Sequence, residues 1–167
     1  MTTLAEKSTE ITNFLSTPKK LADAYYSGAV LREKVATVEK ASGDGDGSIF
    51  GFFLLPSDAR LSSLQIANDA LSGCTSVTIG LHTMDDAGNL TAVSAALFAS
   101  ALDIHSAQAF TNITYQATAT NIDKVEKRLW ELAGLSADPI KNYLVTLTAT
   151  TAGSAAGTIS MKATYTI

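Results

Sequence analysis

The chain has 167 residues, of which 46% are apolar and only 17% are charged, and its net charge is −4. This length predicts one domain with enough apolar residues for a core, and the acidic balance provides no basic surface for nucleic acid. The single cysteine, Cys74, excludes an internal disulfide and a cysteine-based metal site. No apolar run reaches the roughly 20 residues that cross a bilayer, and the first residues lack the regions of a secretion signal, so we expect a cytosolic origin.

The first 28 residues are predicted to form an N-terminal arm. Large apolar residues are scattered among polar ones, the pattern permits a helical turn over residues 10–15 or 21–26, and Pro18 interrupts any longer helix. We interpret the arm as a segment that packs on its own domain or on a neighbouring subunit; the alternative is a partly disordered tail. The arm residues that we expect at an interface are Ile11, Phe14, Leu15, Tyr25 and Tyr26.

Residues 29–167 are predicted to form the domain, which begins with a strand over residues 29–40. The apolar residues change phase along this strand, and the change predicts a β-bulge. The Gly/Asp-rich residues 41–48 predict a hairpin loop. They resemble the start of a calcium loop, but Ile49 and Leu55 replace the glycine and the glutamate that such a loop requires.

The most apolar stretch of the chain, residues 49–66, predicts two strands that form a hairpin-like core. Pro56, Ser57 and Asp58 separate the two strands. These residue types favour a turn, because proline presets the backbone angle and Ser and Asp bond to the backbone locally.

Residues 75–83 predict a further strand, because apolar residues alternate with polar ones. The alternation places His82 on the outward face, where we expect it to be exposed. A polar turn follows at residues 85–89, and we interpret its two adjacent carboxylates as solvated turn residues.

Two segments carry a helical spacing. In residues 91–104 apolar residues recur at intervals of four, four and three, and an irregular segment is the alternative. In residues 123–132 apolar residues form a stripe that Gly134 can end in the left-handed conformation. Trp130, in the second segment, is predicted to anchor the core or an interface.

The last predicted strands are residues 109–118, 143–148 and 158–167, and we expect the last two to pair with each other. Together the segments give seven or eight strands. Strands do not alternate with helices, so a parallel sheet is disfavoured. The predicted fold class is mainly all-β: an antiparallel β-sandwich, jelly-roll-like, with one or two short helices and the extended arm.

No pattern in the sequence indicates catalysis, a cofactor or a metal site. His82 and His105 are 23 residues apart, and neither has a partner at ligand spacing. No G-x-S-x-G turn and no phosphate-binding glycine loop is present. We therefore predict a non-enzymatic building block that buries surface against copies of itself or against a host assembly.

Several short motifs occur along the chain in a particular order. One of them is the leucine–proline turn of residues 55–61, with Ser57-Asp58 directly after the proline. The other motifs are residues 7–13 with Thr17-Pro18, 28–35, 68–71, 78–81, 129–136 and 157–165. Over most of the chain, the order of these motifs resembles that in a family of tailed-bacteriophage virion proteins, the head decoration or cement proteins that stabilise capsids. The leucine–proline turn resembles the commonest signature of that family, in which Lys-Gly is more usual at the positions of Ser57-Asp58.

This resemblance implies a β-sandwich mounted on the phage head, with no catalytic residue or cofactor to carry over. The expected partners are the major capsid protein or other virion proteins, and further copies of the chain in a dimer or trimer; neither nucleic acid nor a membrane is expected. The expected location is the virion, after assembly in the host cytoplasm. The alternatives are another virion component of the same fold, such as a tail, head-fibre base or connector protein, and a carbohydrate-binding β-sandwich module.

Overall fold

The computed structural model gives the fold of most of the chain; it describes residues 8–20, 29–115 and 121–167. The chain divides into two compact units, residues 1–30 and residues 31–167. The predicted boundary between arm and domain, at residue 28, lies outside the described residues and stays a prediction.

In the first unit, helix α1 spans Thr9–Leu15. It lies where the sequence pattern permits a helical turn. Ser8 caps the helix, because its side-chain oxygen accepts the backbone N–H of Ile11 at 3.3 Å and thereby satisfies one of the free donors of the first turn.

The described residues of the second unit form eight strands in two four-stranded sheets. The first sheet contains, in spatial order, β1 (Leu31–Lys40), β8 (Gly157–Thr166), β3 (Arg60–Asn68) and β6 (Gln108–Asn112). The second sheet contains β2 (Ile49–Pro56), β7 (Asn142–Thr151), β4 (Ser76–Met84) and β5 (Leu90–Leu102). All neighbouring strands are antiparallel. The predicted antiparallel β-sandwich is therefore confirmed.

The strand pairs are nested within one another: β1 pairs with β8, β2 with β7, β3 with β6, and β4 with β5. In the first sheet Leu31 and Arg60 both pair with Thr166, and in the second Pro56 pairs with Asn142. The start of β1, the β2–β3 turn, the β4–β5 turn and the start of β7 therefore lie at one end of the sandwich. We call this the β2–β3 end.

The core lies between the sheets and is formed by the inward-facing residues of the strands. On β4, Val77, Ile79 and Leu81 are fully buried, as the alternation predicts. Tyr143 and Leu64, on β7 and β3, are among the largest buried side chains. Complete burial of such a side chain contributes about 1.5–3 kcal/mol, so this apolar layer is the main force that holds the two sheets together.

The predicted hairpins are wrong, although the strands themselves are confirmed. β2 and β3 lie in opposite sheets, so the turn between them joins the two sheets. The same is true of residues 41–48, between β1 and β2, and of the connection between β7 and β8. Each of these strands turns one apolar face towards the shared core, and that pattern is identical whether the next strand pairs beside it or lies across the core.

The bulge predicted in the first strand is also wrong. β1 pairs with β8 in unbroken register along its whole length. The apolar residues that change the phase, Leu31 and Val35, are instead exposed on the outer face, with 59% and 57% of their surface accessible. The change of phase therefore marks a surface and not an irregular backbone.

The helix predicted over residues 91–104 is wrong, because these residues form β5. Ile79 pairs with Ala99 and Leu81 with Ser94, so the chain advances five residues along β5 where it advances only two along β4. The extra residues form bulges that interrupt the alternation of period two. What remains of the pattern imitates the spacing of a helix.

The strand predicted over residues 109–118 is confirmed only in its first part. β6 ends at Asn112, and Ile113 and Thr114 then bond to the backbone of Leu64. Residues 116–118 lie outside the described part of the chain.

The helix predicted over residues 123–132 is divided into a 3₁₀-helix at Ile122–Lys124 and helix α2 at Leu129–Leu132. A contact with a distant part of the chain accounts for the division: the backbone N–H groups of Leu129 and Trp130 bond to carbonyls of the β2–β3 turn, at 2.9 and 3.0 Å, and not to carbonyls of a preceding helical turn. Gly134, with φ of +80°, follows α2 in the left-handed conformation that the sequence predicts.

Candidate interaction surfaces

His82 is buried, contrary to the expectation from its outward position on β4; only 4% of its surface is exposed. Its Nδ1 lies 2.8 Å from Oγ1 of the buried Thr146, and burial lowers the pKa of His82. The backbone of Ser94 and Ala95 on β5 covers the outer face of β4 beside it. At Gly80 an added Cβ would lie only 2.1 Å from the Ser94 carbonyl oxygen. His82 therefore lies buried on the face of β4 that β5 approaches closely at Gly80.

His105 is exposed and bonds to its neighbours in sequence. Its Nδ1 lies 2.8 Å from Asp103 Oδ1, and its Nε2 lies 2.9 Å from the Ser106 hydroxyl. Backbone and side-chain hydrogen bonds from His105 hold the pKa of Asp103 below its ordinary value. Among residues 8–20, 29–115 and 121–167, no group of three or more His, Cys, Asp or Glu residues is placed to hold a metal ion.

The aspartates of the two acidic loops accept hydrogen bonds from the protein, within their own loop or from a neighbouring one. Asp44 accepts a hydrogen bond within its loop, and Asp46 accepts the N–H of Ala152 at 2.8 Å. Asp85 accepts both the backbone and the side-chain N–H groups of Asn89, at 2.7 and 2.8 Å. These bonds hold the pKa of Asp85 below its ordinary value. The predicted polar turn at residues 85–89 is confirmed.

Ser57 joins three parts of the β2–β3 end. Its buried hydroxyl donates to Asp138 at 2.5 Å and accepts the Lys141 N–H at 3.2 Å. Its backbone N–H donates to the Lys141 carbonyl at 2.7 Å, and its carbonyl accepts the Trp130 N–H at 3.0 Å. Asp138 and Lys141 belong to the loop of residues 138–141, which precedes β7 and is called the 138–141 loop below. The contacts fix this loop and α2 against the β2–β3 turn, so Ser57 acts as a structural clamp.

The predicted interface residues of the arm are exposed where the structure describes them. Ile11, Phe14 and Leu15 on α1 have 39%, 58% and 55% of their surface accessible. The Lys19 ammonium lies 4.2 Å from the centre of the Phe14 ring, in reach of a cation–π interaction. Tyr25 and Tyr26 lie outside the described residues. The role of this set at an interface stays a prediction.

Trp130 is half-buried on α2 and packs against the core. Its indole Nε1–H is buried and finds no hydrogen-bond partner among the residues that the structure describes. Together with the bond from its backbone N–H to Ser57, this packing attaches α2 to the sandwich. A role for Trp130 at an interface stays a prediction.

The main set of exposed apolar side chains in the second unit was not predicted from the sequence. Most of them belong to the β2–β3 end or to the β6–β7 connection: Leu31, Leu54, Met84, Ile122, Val125, Leu135, Ile140 and Ile167. Ile140 is the most exposed, with 88% of its surface accessible. The signal available in the sequence was a large apolar residue directly after the turn residues Asp138-Pro139.

The outer face of the first sheet carries both hydroxyl pairs and exposed apolar side chains. The hydroxyls of Thr37 and Ser160 are 2.8 Å apart, and those of Ser63 and Thr164 are 2.6 Å apart. A partner on this face would meet these hydroxyl groups together with the exposed side chains of Leu31 and Val35. No helix in the described part of the chain is long and apolar enough to span a membrane.

Comparisons with known proteins identify structural neighbours only. No family model and no curated protein matches the chain. A chain from the capsid of Ralstonia phage GP4 superimposes with a TM-score of 0.57 and 14% identity, over 82% of this chain and 84% of that one. A chain from the capsid asymmetric unit of cyanophage Pam1 gives a TM-score of 0.53 and 18% identity, over 91% of this chain and 96% of that one. The chain therefore shares its fold with chains found in two phage capsids.

Proposed function

We propose that the chain is a non-enzymatic virion structural protein of a bacteriophage, and that it binds and stabilises the capsid shell as a decoration or cement protein. The observation that carries the proposal is the two-sheet fold, which chains from two phage capsids share over most of their length. The nested order of the eight strands supports it, since eight strands in two Greek keys form the jelly roll that occurs in viral capsid domains.

The exposed apolar residues support a role in assembly. On α1 they include Phe14 and Leu15, and at the β2–β3 end they include Ile140 and Met84. Large exposed apolar residues are typical of the centres of protein interfaces, where charged residues are depleted. The arm and the sheet faces are the surfaces that we expect to bind the major capsid protein or other virion proteins.

Stabilisation of a shell follows from binding alone. A protein that binds the assembled shell, and not its separated subunits, shifts the equilibrium towards assembly by RT ln(1 + [L]/Kd), about 2.7 kcal/mol per site at a concentration of 100 Kd. No chemistry is required of the bound protein. In this proposal the chain acts in the virion, as a dimer or trimer, after assembly in the host cytoplasm.

The test is co-sedimentation of the full chain with empty shells made from the major capsid protein of the phage that encodes it. We expect the chain to pellet with the shells at a fixed stoichiometry that saturates. A matched sample that lacks residues 1–28 should pellet less while its thermal unfolding midpoint is retained. No saturable binding to shells, or binding only to tails or connectors, would contradict the decoration role. Binding to glycans instead of virion proteins would favour a carbohydrate-binding module.

A further inference from the structure

Ile140 combines two unfavourable features at the β2–β3 end. Its φ is +52°, in the left-handed region that β-branched residues rarely adopt. Its side chain is also 88% exposed to solvent. Glycine or asparagine would adopt this backbone with less strain and would expose no apolar surface. Something outside the isolated sandwich therefore favours isoleucine at this position.

The surrounding contacts hold Ile140 in place. Its backbone N–H donates to Asp138 Oδ1 at 2.9 Å, and the same carboxylate oxygen accepts the hydroxyl of Ser57. Lys141, the next residue, is fixed at both its N–H and its carbonyl by Ser57. The 138–141 loop is thus an ordered projection, and an ordered apolar projection loses little conformational entropy when it binds.

A depression of about 460 Å³ lies directly beside this loop. Leu54 and Met84 form its apolar part, and the rest of the lining is polar, with Asp85 and Lys141 as its charged residues and Thr83, Asn89, Thr91 and Asn142 as its uncharged ones. Lys141 lines this depression and also the smaller one that contains Ile140. The projection and the depression are therefore adjacent on one continuous surface.

We propose that this surface binds a second copy of the chain, with Ile140 of each copy inserted into the depression lined by Leu54 and Met84 of the other. A twofold interface needs a self-complementary surface, in which a projecting residue lies beside the site that receives it. Asp85 already accepts hydrogen bonds from Asn89 of its own copy, and Lys141 of the other copy, entering with Ile140, would add an opposite charge beside it. The inference deepens the proposed function, and it rests on that function's expectation of a homo-oligomer.

The test measures association of the full chain in solution, without shells, by sedimentation equilibrium over a wide concentration range. The wild-type chain should form dimers. Ile140→Gly should raise the dimer Kd at least tenfold. Its unfolding midpoint, compared with the wild type at a concentration below the wild-type dimer Kd, should stay the same or rise because the backbone strain is relieved. Lys141→Glu should also weaken the dimer, and Val35→Asp, which changes an exposed apolar residue of β1, should not.

Three results would overturn the inference. They are a wild-type chain that stays monomeric, a dimer that Ile140→Gly leaves unchanged, and a Val35→Asp chain that loses the dimer as Ile140→Gly does. Binding to shells is measured separately on the same variants. A monomer that still saturates shells would end this inference and the expectation of a homo-oligomer, but would leave the shell-binding role intact. A dimer that binds no shells would contradict the shell-binding role and leave the dimer interface intact.

Discussion

Gly80→Ala tests whether β5 covers the outer face of β4. The added methyl group would lie 2.1 Å from the Ser94 carbonyl oxygen, and 2.4 and 2.6 Å from the carbonyl carbon and oxygen of Ala95. All three atoms belong to the backbone of a paired strand, so no side-chain rotation can relieve the contact.

The size of the effect follows from these distances. Carbon–oxygen contacts below 3.0 Å essentially do not occur at real Cβ atoms, so β5 must move away from β4 by roughly 1 Å. Overpacking a core typically costs about 1–3 kcal/mol where side chains can adjust. Because the obstacle here is backbone, we expect a loss of about 3 kcal/mol or more. For a chain of this size that loss lowers the midpoint of thermal unfolding by about 6–12 °C.

The assay is urea denaturation and calorimetry of the wild type, Gly80→Ala and a control, Gly45→Ala. Gly45 has no atom within 4 Å of an added Cβ and lies outside the region of positive φ. We expect the control to stay within about 0.5 kcal/mol of the wild type. Equal stability of Gly80→Ala and the wild type would refute the placement of β5 over β4.

Three further predictions follow from the described contacts. Because burial lowers the pKa of His82 in the folded state, the unfolded state binds more protons below about pH 6.5. The free energy of unfolding should therefore fall as the pH drops below that value, and His82→Gln should reduce the difference between urea titrations at pH 7.5 and pH 5.5; an unchanged difference would contradict this. The buried Lys40 ammonium donates to three backbone carbonyls, at 2.9, 3.2 and 3.3 Å. Lys40→Met should therefore lower the free energy of unfolding by about 1–3 kcal/mol and speed amide exchange in residues 152–156, and an unchanged exchange rate would count against this role. Leu64→Ala removes a fully buried side chain and should cost about 2–5 kcal/mol in the same titrations, with a cost below 1 kcal/mol contradicting its place in the core.

Most strands, but not β5, could be predicted from the sequence, whereas their partners could not. Alternation identified β4, β7 and β8, because one buried face imposes a period of two whatever the partner strand is. The same alternation cannot distinguish a hairpin from a connection between sheets. In a sandwich of nested pairs most partners are distant in sequence, so the expectation that neighbours pair failed at Pro56–Asp58 and again between β7 and β8.

The surfaces were harder to predict than the core. His82 has the outward parity of an exposed residue, but it is buried on the face of β4 where the bulges of β5 bring the backbone of Ser94 and Ala95 against the neighbouring Gly80. Ile140 gave no periodic signal, since it lies in a connection whose conformation depends on its neighbour Asp138 and, through that carboxylate, on Ser57 from a distant part of the chain. Side chains that depend on contacts of this kind cannot be placed by local patterns.

The central claim, that the chain stabilises a capsid shell, is tested most directly by the temperature at which shells disassemble. Empty shells would be heated with a saturating amount of the full chain, with the chain that lacks residues 1–28 at the same concentration, and with no addition, while light scattering reports disassembly. The account predicts a higher disassembly temperature with the full chain and a smaller increase with the truncated one. An unchanged disassembly temperature at saturating occupancy would contradict the claim, because it would show that the chain binds the shell without stabilising it.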